Sequence, residues 1–183
     1  MGVAHLSHLL SVLVLYQLCI QVWQNRRLAF LAACLHIFSP AGVFLSAPYA
    51  ESTFALLSFA GYFFFAKGCV ADEPTVGSDV WQLVAAIFFG VATVFRSNGI
   101  LNGIPFAFEA VQELVRFLKK PNLVTFRHLV FLGIGGLCVA AGSFIPQAIA
   151  YQRYCLGLTG ASRRPWCSRY LPSIYTYVQE LYW

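Results

Sequence analysis

Uncharged runs separated by short charged joints set the pattern of this chain. No Asp, Glu, Lys or Arg occurs within 1–25, 28–50, 52–66, 80–95, 97–108 or 128–152. Crossing the hydrocarbon of a bilayer takes about 20 largely apolar residues. The first run and the last meet that length outright, over roughly 4–23 and 128–151. Residues 80–95 are short but have Trp81 as an interfacial anchor. A helix over 99–118 is also expected, although it carries Glu109 and Glu113. Between 28 and 66 the pattern breaks at Ser39-Pro40-Ala41-Gly42 and again at Ser46-Ala47-Pro48. It predicts a helix in, irregular backbone near the far face, and a helix out. Irregular backbone at membrane depth persists only against protein or a water-filled cavity, so a cavity is expected there.

The basic residues orient these segments. Arg26, Arg27, Lys67, Arg116, Lys119, Lys120 and Arg127 all fall at joints that alternate spans bring to one side. The excess of Lys and Arg in cytoplasmic loops makes that side cytoplasmic. His5, Pro48–Glu51, Arg96–Asn98 and the 153–183 tail then share the opposite face. Cys155 and Cys167 are the two cysteines expected there, either as isolated thiols or, in an oxidising compartment, as a disulfide. The resulting fold class is all-α and polytopic. Residues 1–152 form a transmembrane helical bundle of about five to six membrane segments, and 153–183 an aromatic loop on the far side.

Composition sharpens this. Hydrophobic residues make up 59% of 183 and charged residues 10%, with 17 Phe and a mean hydropathy of +0.69. Soluble domains carry about 25% charged residues, so a soluble enzyme, a small disulfide-stapled secreted domain and a nucleic-acid reader are all excluded. A net charge of +5 is what membrane flanks produce and is no sign of a nucleic-acid partner. Residues 1–23 lack the basic start and small-residue cleavage site of a signal peptide.

Two groups stand out chemically. Glu51, in Ala47-Pro48-Tyr49-Ala50-Glu51-Ser52, is either a carboxylate favoured by the start of the helix it heads or a functional ionisable group at a membrane boundary. Arg96-Ser97-Asn98-Gly99 joins two apolar helices. Ser97 or Asn98 suits an N-cap, and a guanidinium beside a helix start suits a phosphate. A snorkelling arginine fits the same spacing. Asn102 offers either a further donor or a bond to nearby backbone. Trp166, within Arg163-Arg164-Pro165-Trp166-Cys167, belongs to an interfacial belt or a substrate platform. His5 and His8 read as structural, and Glu109, Glu113 and Arg116 as a solvated or paired helix face. There is no CxxC, HExxH, glycine-rich phosphate loop or GxSxG, and no metal site or cofactor is assigned. A transporter with broken helices and a non-catalytic membrane subunit remain open from the residues alone.

Ser39-Pro-Ala-Gly-Val-Phe-Leu-Ser-Ala-Pro-Tyr-Ala-Glu-Ser52, Phe95-Arg-Ser-Asn-Gly99, Pro165-Trp-Cys-Ser and Pro172-Ser-Ile-Tyr-Thr-Tyr-Val-Gln179 occur in that order. Together they resemble the GPI mannosyltransferase 2 family, the second mannosyltransferases of glycosylphosphatidylinositol-anchor assembly, in its fungal form. The resemblance runs the length of the chain. It implies a GT-C type glycosyltransferase, multi-pass in the endoplasmic-reticulum membrane, with its site on the luminal side. It further implies transfer of mannose in α-1,6 linkage from dolichol-phosphate-mannose to the GPI precursor, with a small accessory membrane subunit among the partners. The family's luminal loop bearing a catalytic Asp has no match here, and family chains continue past Tyr182-Trp183. By the resemblance this is therefore a central segment, truncated at its C-terminus, with its catalytic residue unassigned and its own activity in question. Substrate-binding roles fall to Tyr49, Glu51, Arg96, Asn98, Asn102 and Trp166.

Overall fold

A computed structural model describes residues 2–39, 49–69, 74–156, 164–169 and 172–182, and among them there is no strand. Among the described residues seven α-helices follow in order: α1 Gly2–Trp23, α2 Arg26–Ile37, α3 Glu51–Gly68, α4 Val76–Phe95, α5 Ile104–Lys119, α6 Leu123–Tyr154 and α7 Ile174–Tyr182. Short 3₁₀ helices occupy Ser97–Gly103 and Pro165–Ser168. The chain is all-α, as its pattern predicts.

Local chemistry sets several boundaries. Asn25 opens α2 by accepting from the Arg27 and Leu28 N–H groups at 3.0 and 3.3 Å, taking up donors the first turn leaves free. Thr75 and Ser78 form a reciprocal capping box at the start of α4. Asn122 opens α6 by accepting from Val124 N–H.

Among the described residues three helices are long and apolar enough to cross a membrane: α1, α4 and α6. This makes the chain a multi-pass helical membrane protein. At 1.5 Å per residue, the 12 residues of α2 reach about 18 Å. The 18 of α3 reach about 27 Å, with Glu51 and Lys67 near its two ends. The breaks expected at Pro40–Gly42 and Ser46–Pro48 lie outside the described residues.

Packing runs α2–α1–α3–α4–α6–α5. The shared core is Ala85, Ala86 and Phe89 of α4, Phe106 of α5, and Leu132 and Val139 of α6. Lipid offers no hydrophobic drive between helices, so close backbone approach through small residues replaces it. Gly90 of α4 and Gly142 of α6 supply that approach. A Cβ built on Gly142 would lie 2.1 Å from the Gly90 carbonyl oxygen, and one on Gly90 2.8 Å from that of Cys138. Outward-facing apolar side chains such as Leu137 and Phe144 of α6 stay exposed, as a lipid-facing surface requires.

Helix direction sorts the polar groups to two ends. The start of α3 meets the end of α4 through Glu51 and Arg96, and meets the start of α1 where Ser7 and Thr53 hydroxyls lie 3.4 Å apart. The start of α4 meets the start of α6 through Asp79, Arg127 and His128. Roughly 27 Å of helix separates the two ends.

Candidate functional site

Arg96 is the C-cap of α4, its N–H bonded to Ala92 O at 3.1 Å. Extended backbone at this residue turns the chain out of the helix and leaves the guanidinium at the bundle end. Nη1 donates to Glu51 Oε1 at 2.9 Å, and Cζ stands 5.7 Å from the Phe54 ring centroid, in cation–π range. The pair is partly open, with side chains 39% and 33% exposed. A guanidinium carries five N–H donors, so one bond to Glu51 leaves most of the fork available to an anion. Tyr49, immediately before α3, is exposed beside this pair in the chain.

The other site residues expected from sequence divide. Asn102 is buried and already bonded: Nδ2 donates to Ser58 Oγ at 3.1 Å, and Tyr62 Oη donates to Asn102 Oδ1 at 3.1 Å. These bonds tie the 3₁₀ segment to α3 through side chains rather than backbone. Asn98 and Ser97 make no cap hydrogen bond, and the α-helix expected from 99 begins instead at Ile104. Gly99 explains this. A Cβ there would fall 2.7 Å from Thr93 Cα, so the chain folds back hard on α4, and the tighter 3₁₀ winding accommodates it. Pro105 then sits in the first turn of α5, where a missing N–H costs nothing. The anion-binding potential at Arg96 thus rests on the guanidinium, without an α-helix start beside it.

Trp166 is buried, 4% exposed, and no open platform. It packs with the Cys155–Cys167 disulfide and with Ala150, Tyr151, Ile174 and Tyr177. The Cα atoms of the bonded cysteines are 5.5 Å apart, so the thiol pair expected on this face is joined. A cavity of about 390 Å³ borders Trp166 between Tyr154, Arg164 and the α7 residues Tyr177, Val178 and Leu181. Arg169 pairs with Glu180 across this segment. His8 lies 5.4 Å from His36, centroid to centroid, and so serves the α1–α2 contact rather than pairing with His5.

Sequence reasoning missed a buried polar cluster at the opposite end. Asp79 Oδ2 accepts from Arg127 Nε at 2.8 Å, and Asp79 Oδ1 lies 2.6 Å from His128 Nδ1. Asp79, Gln82, Glu113 and His128 are all buried. Arg116 pairs with Glu113, so the face of α5 that reads as solvated or paired is paired, and Glu113 lies inside. Burial first, and the nearby Glu109 carboxylate second, push the Cys69 thiol up to about 11. The available signal was one of place: Asp79 and His128 each sit in the opening turns of an apolar helix, where ionisable groups are costly unless paired.

The sequence profile of the family described as Mannosyltransferase (PIG-V) matches residues 1–183. The chain belongs to that family. GPI mannosyltransferase 2 of Chaetomium globosum is 52% identical over 198 residues, covering 99% of this chain and 42% of that protein. The Gibberella zeae protein of the same name is 41% identical over 182 residues, covering 100% and 43%. GPI alpha-1,6-mannosyltransferase 2 of Cricetulus griseus is 31% identical over 210 residues, covering 100% and 40%. The chain spans about two fifths of the length of these curated relatives. No solved structure matches it. Membership of the PIG-V family agrees with the resemblance drawn from Ser39–Ser52 and Phe95–Gly99.

Proposed function

We propose that this chain is part of a GPI mannosyltransferase. The enzyme adds the second mannose, in α-1,6 linkage, from dolichol-phosphate-mannose to the GPI precursor at the luminal face of the endoplasmic-reticulum membrane. The observation that carries this reading is the family match along all 183 residues. The name of the hamster relative specifies the linkage, and the resemblance supplies the donor.

A β-linked donor and an α-linked product require inversion, in a single displacement. The acceptor hydroxyl attacks the anomeric carbon, its proton passes to a base, and the bond to the dolichyl phosphate oxygen breaks. The departing phosphate gains charge, and a fixed cationic donor aimed at it lowers the barrier. Arg96 is suited to that task. It is anchored at one Nη by Glu51, and its remaining N–H groups match phosphate oxygens. Tyr49 and Glu51 present hydroxyl-binding groups at the same end. The disulfide-braced segment around Trp166, with its cavity, is suited to the acceptor glycolipid, Trp166 acting from beneath as a wall.

The test is a chimera. Residues 1–183 replace the matching two fifths of the Chaetomium globosum relative, in cells lacking the second GPI mannosyltransferase. Restored surface GPI proteins and a two-mannose precursor are expected. A chimera present at normal level in the membrane but accumulating the one-mannose precursor would overturn the assignment.

A further inference from the structure

The buried cluster at the end of the bundle remote from Glu51 and Arg96 has the makings of a metal centre. One ligand atom each from Glu109, Glu113 and His128 lies within 4.8 Å of the others. All three border a polar cavity of about 240 Å³, also lined by Gln82. Carboxylates close together are not in themselves a site. Gln82 adds the independent sign: it is 1% exposed, and its Oε1 is buried without a hydrogen-bond partner. A buried amide oxygen left unpaired is costly, and a cation in the cavity it borders would use that lone pair.

The surroundings fit as well. His128 Nδ1 is 2.6 Å from Asp79 Oδ1, the carboxylate–imidazole arrangement that fixes a ligating histidine's tautomer and raises its basicity. Nε2 is the ring nitrogen left to coordinate. Arg127 in turn holds the other Asp79 oxygen. Among the described residues, Asp79, Glu109 and Glu113 set three carboxylates against the two guanidinium groups of Arg116 and Arg127, a balance with room for a cation. Arg116 pairs with Glu113, but its side chain is 58% exposed and is free to swing outward.

We propose that Glu109, Glu113 and His128, with Gln82 Oε1, bind one divalent transition-metal ion, and that Asp79 positions the imidazole. Two carboxylates, one imidazole and an amide oxygen suit Zn²⁺ or Mn²⁺ better than a soft ion such as Cu⁺. The ion would join the start of α4, the middle of α5 and the start of α6.

The 183-residue chain, purified in detergent on a tag without histidine, is stripped with EDTA, reloaded with Zn²⁺, and measured by elemental mass spectrometry and calorimetry. One Zn²⁺ per chain is expected. Glu113→Gln should weaken binding at least tenfold, and Asp79→Asn about 10- to 100-fold. Arg116→Gln should tighten it, because a competing cation is gone, and Glu180→Gln should leave it unchanged. Zn²⁺ should raise the melting temperature of the wild type and not of Glu113→Gln. Since Glu113→Gln and Asp79→Asn remove buried charges and could unfold the chain, X-ray absorption on the wild type gives an independent reading. One imidazole with oxygen ligands at about 2.0–2.1 Å supports the proposal. A sulfur shell, no saturable Zn²⁺ or Mn²⁺ binding by the wild type, or full binding by folded Glu113→Gln overturns it.

Discussion

At the scale of single residues, Arg96 combines a charge with a shape. Its guanidinium holds Glu51 through Nη1 and lies against Phe54, a posture an ammonium reproduces only in part. In the chimera, Arg96→Lys keeps the charge and loses the planar fork. The expected loss is on the order of 2–4 kcal/mol, roughly 30- to 1,000-fold in mannosyl transfer by microsomes at matched protein level. Near-normal transfer would return Arg96 to the role of a membrane anchor. The neighbouring asparagines separate cleanly. Asn102→Ala removes two hydrogen bonds and leaves Ser58 Oγ and Tyr62 Oη short of a partner, so thermal melting in detergent should report a loss of about 1–3 kcal/mol. Asn98→Ala should stay within about 0.5 kcal/mol, because its side chain caps nothing. Equal melting temperatures for the two variants would contradict this division. Glu51 and Arg96 were legible as candidates because each interrupts an apolar run. Their ion pair was not, since 45 residues separate them and only the antiparallel packing of α3 on α4 closes that distance.

Among the elements, the long apolar helices were readable and the join at residues 97–103 was not. Runs at 1–25, 80–95 and 128–152 carry their own length signal and reappear as α1, α4 and α6. The 3₁₀ segment depends on a tertiary contact, Gly99 pressed on the Thr93 backbone, and no local pattern encodes that. The cluster around Asp79 escaped for the same reason: Glu109 and Glu113 read as an ordinary i, i+4 face until α4 and α6 close over it. Interface glycines yield a prediction at this level. Gly142→Ala puts a methyl group 2.1 Å from the Gly90 carbonyl oxygen, against backbone on a facing helix, with no flexible side chain to give way. Overpacking of this kind costs about 1–3 kcal/mol. Gly133→Ala on the same helix meets nothing within 4 Å and should not destabilise. Comparison of the two melting curves in one detergent isolates the close approach of α4 and α6 from helix propensity, which favours Ala at both positions.

For the whole molecule, the direction of α6 links chemistry at its two ends to the two sides of the membrane. It starts beside Asp79 through Arg127 and His128 and ends at Cys155 after 32 helical residues. About 48 Å of helix exceeds a 30 Å hydrocarbon core even with tilt, long enough for its two ends to face opposite compartments. The disulfide therefore bears on the Glu51–Arg96 pair, which lies toward the same end of the bundle. Disulfides persist in oxidising compartments, and the basic joints near Lys67 and Lys119 favour the cytoplasm for the other end. In the proposed orientation both arguments favour the lumen for Arg96 and the cytoplasmic side for the Glu109–Glu113–His128 cluster. Glycosylation acceptors inserted near Thr159 should be used in microsomes, and acceptors near Thr75 should stay bare. Without reduction, Cys155 and Cys167 should resist alkylation together, since each is one half of a bond worth about 3 kcal/mol in the chain-entropy account. The two measurements fail separately. Alkylated cysteines with a glycosylated Thr159 site would remove the disulfide and keep the orientation. A glycosylated Thr75 site with a bare Thr159 site would place Arg96 in the cytoplasm, and the luminal transfer proposed for it would fall.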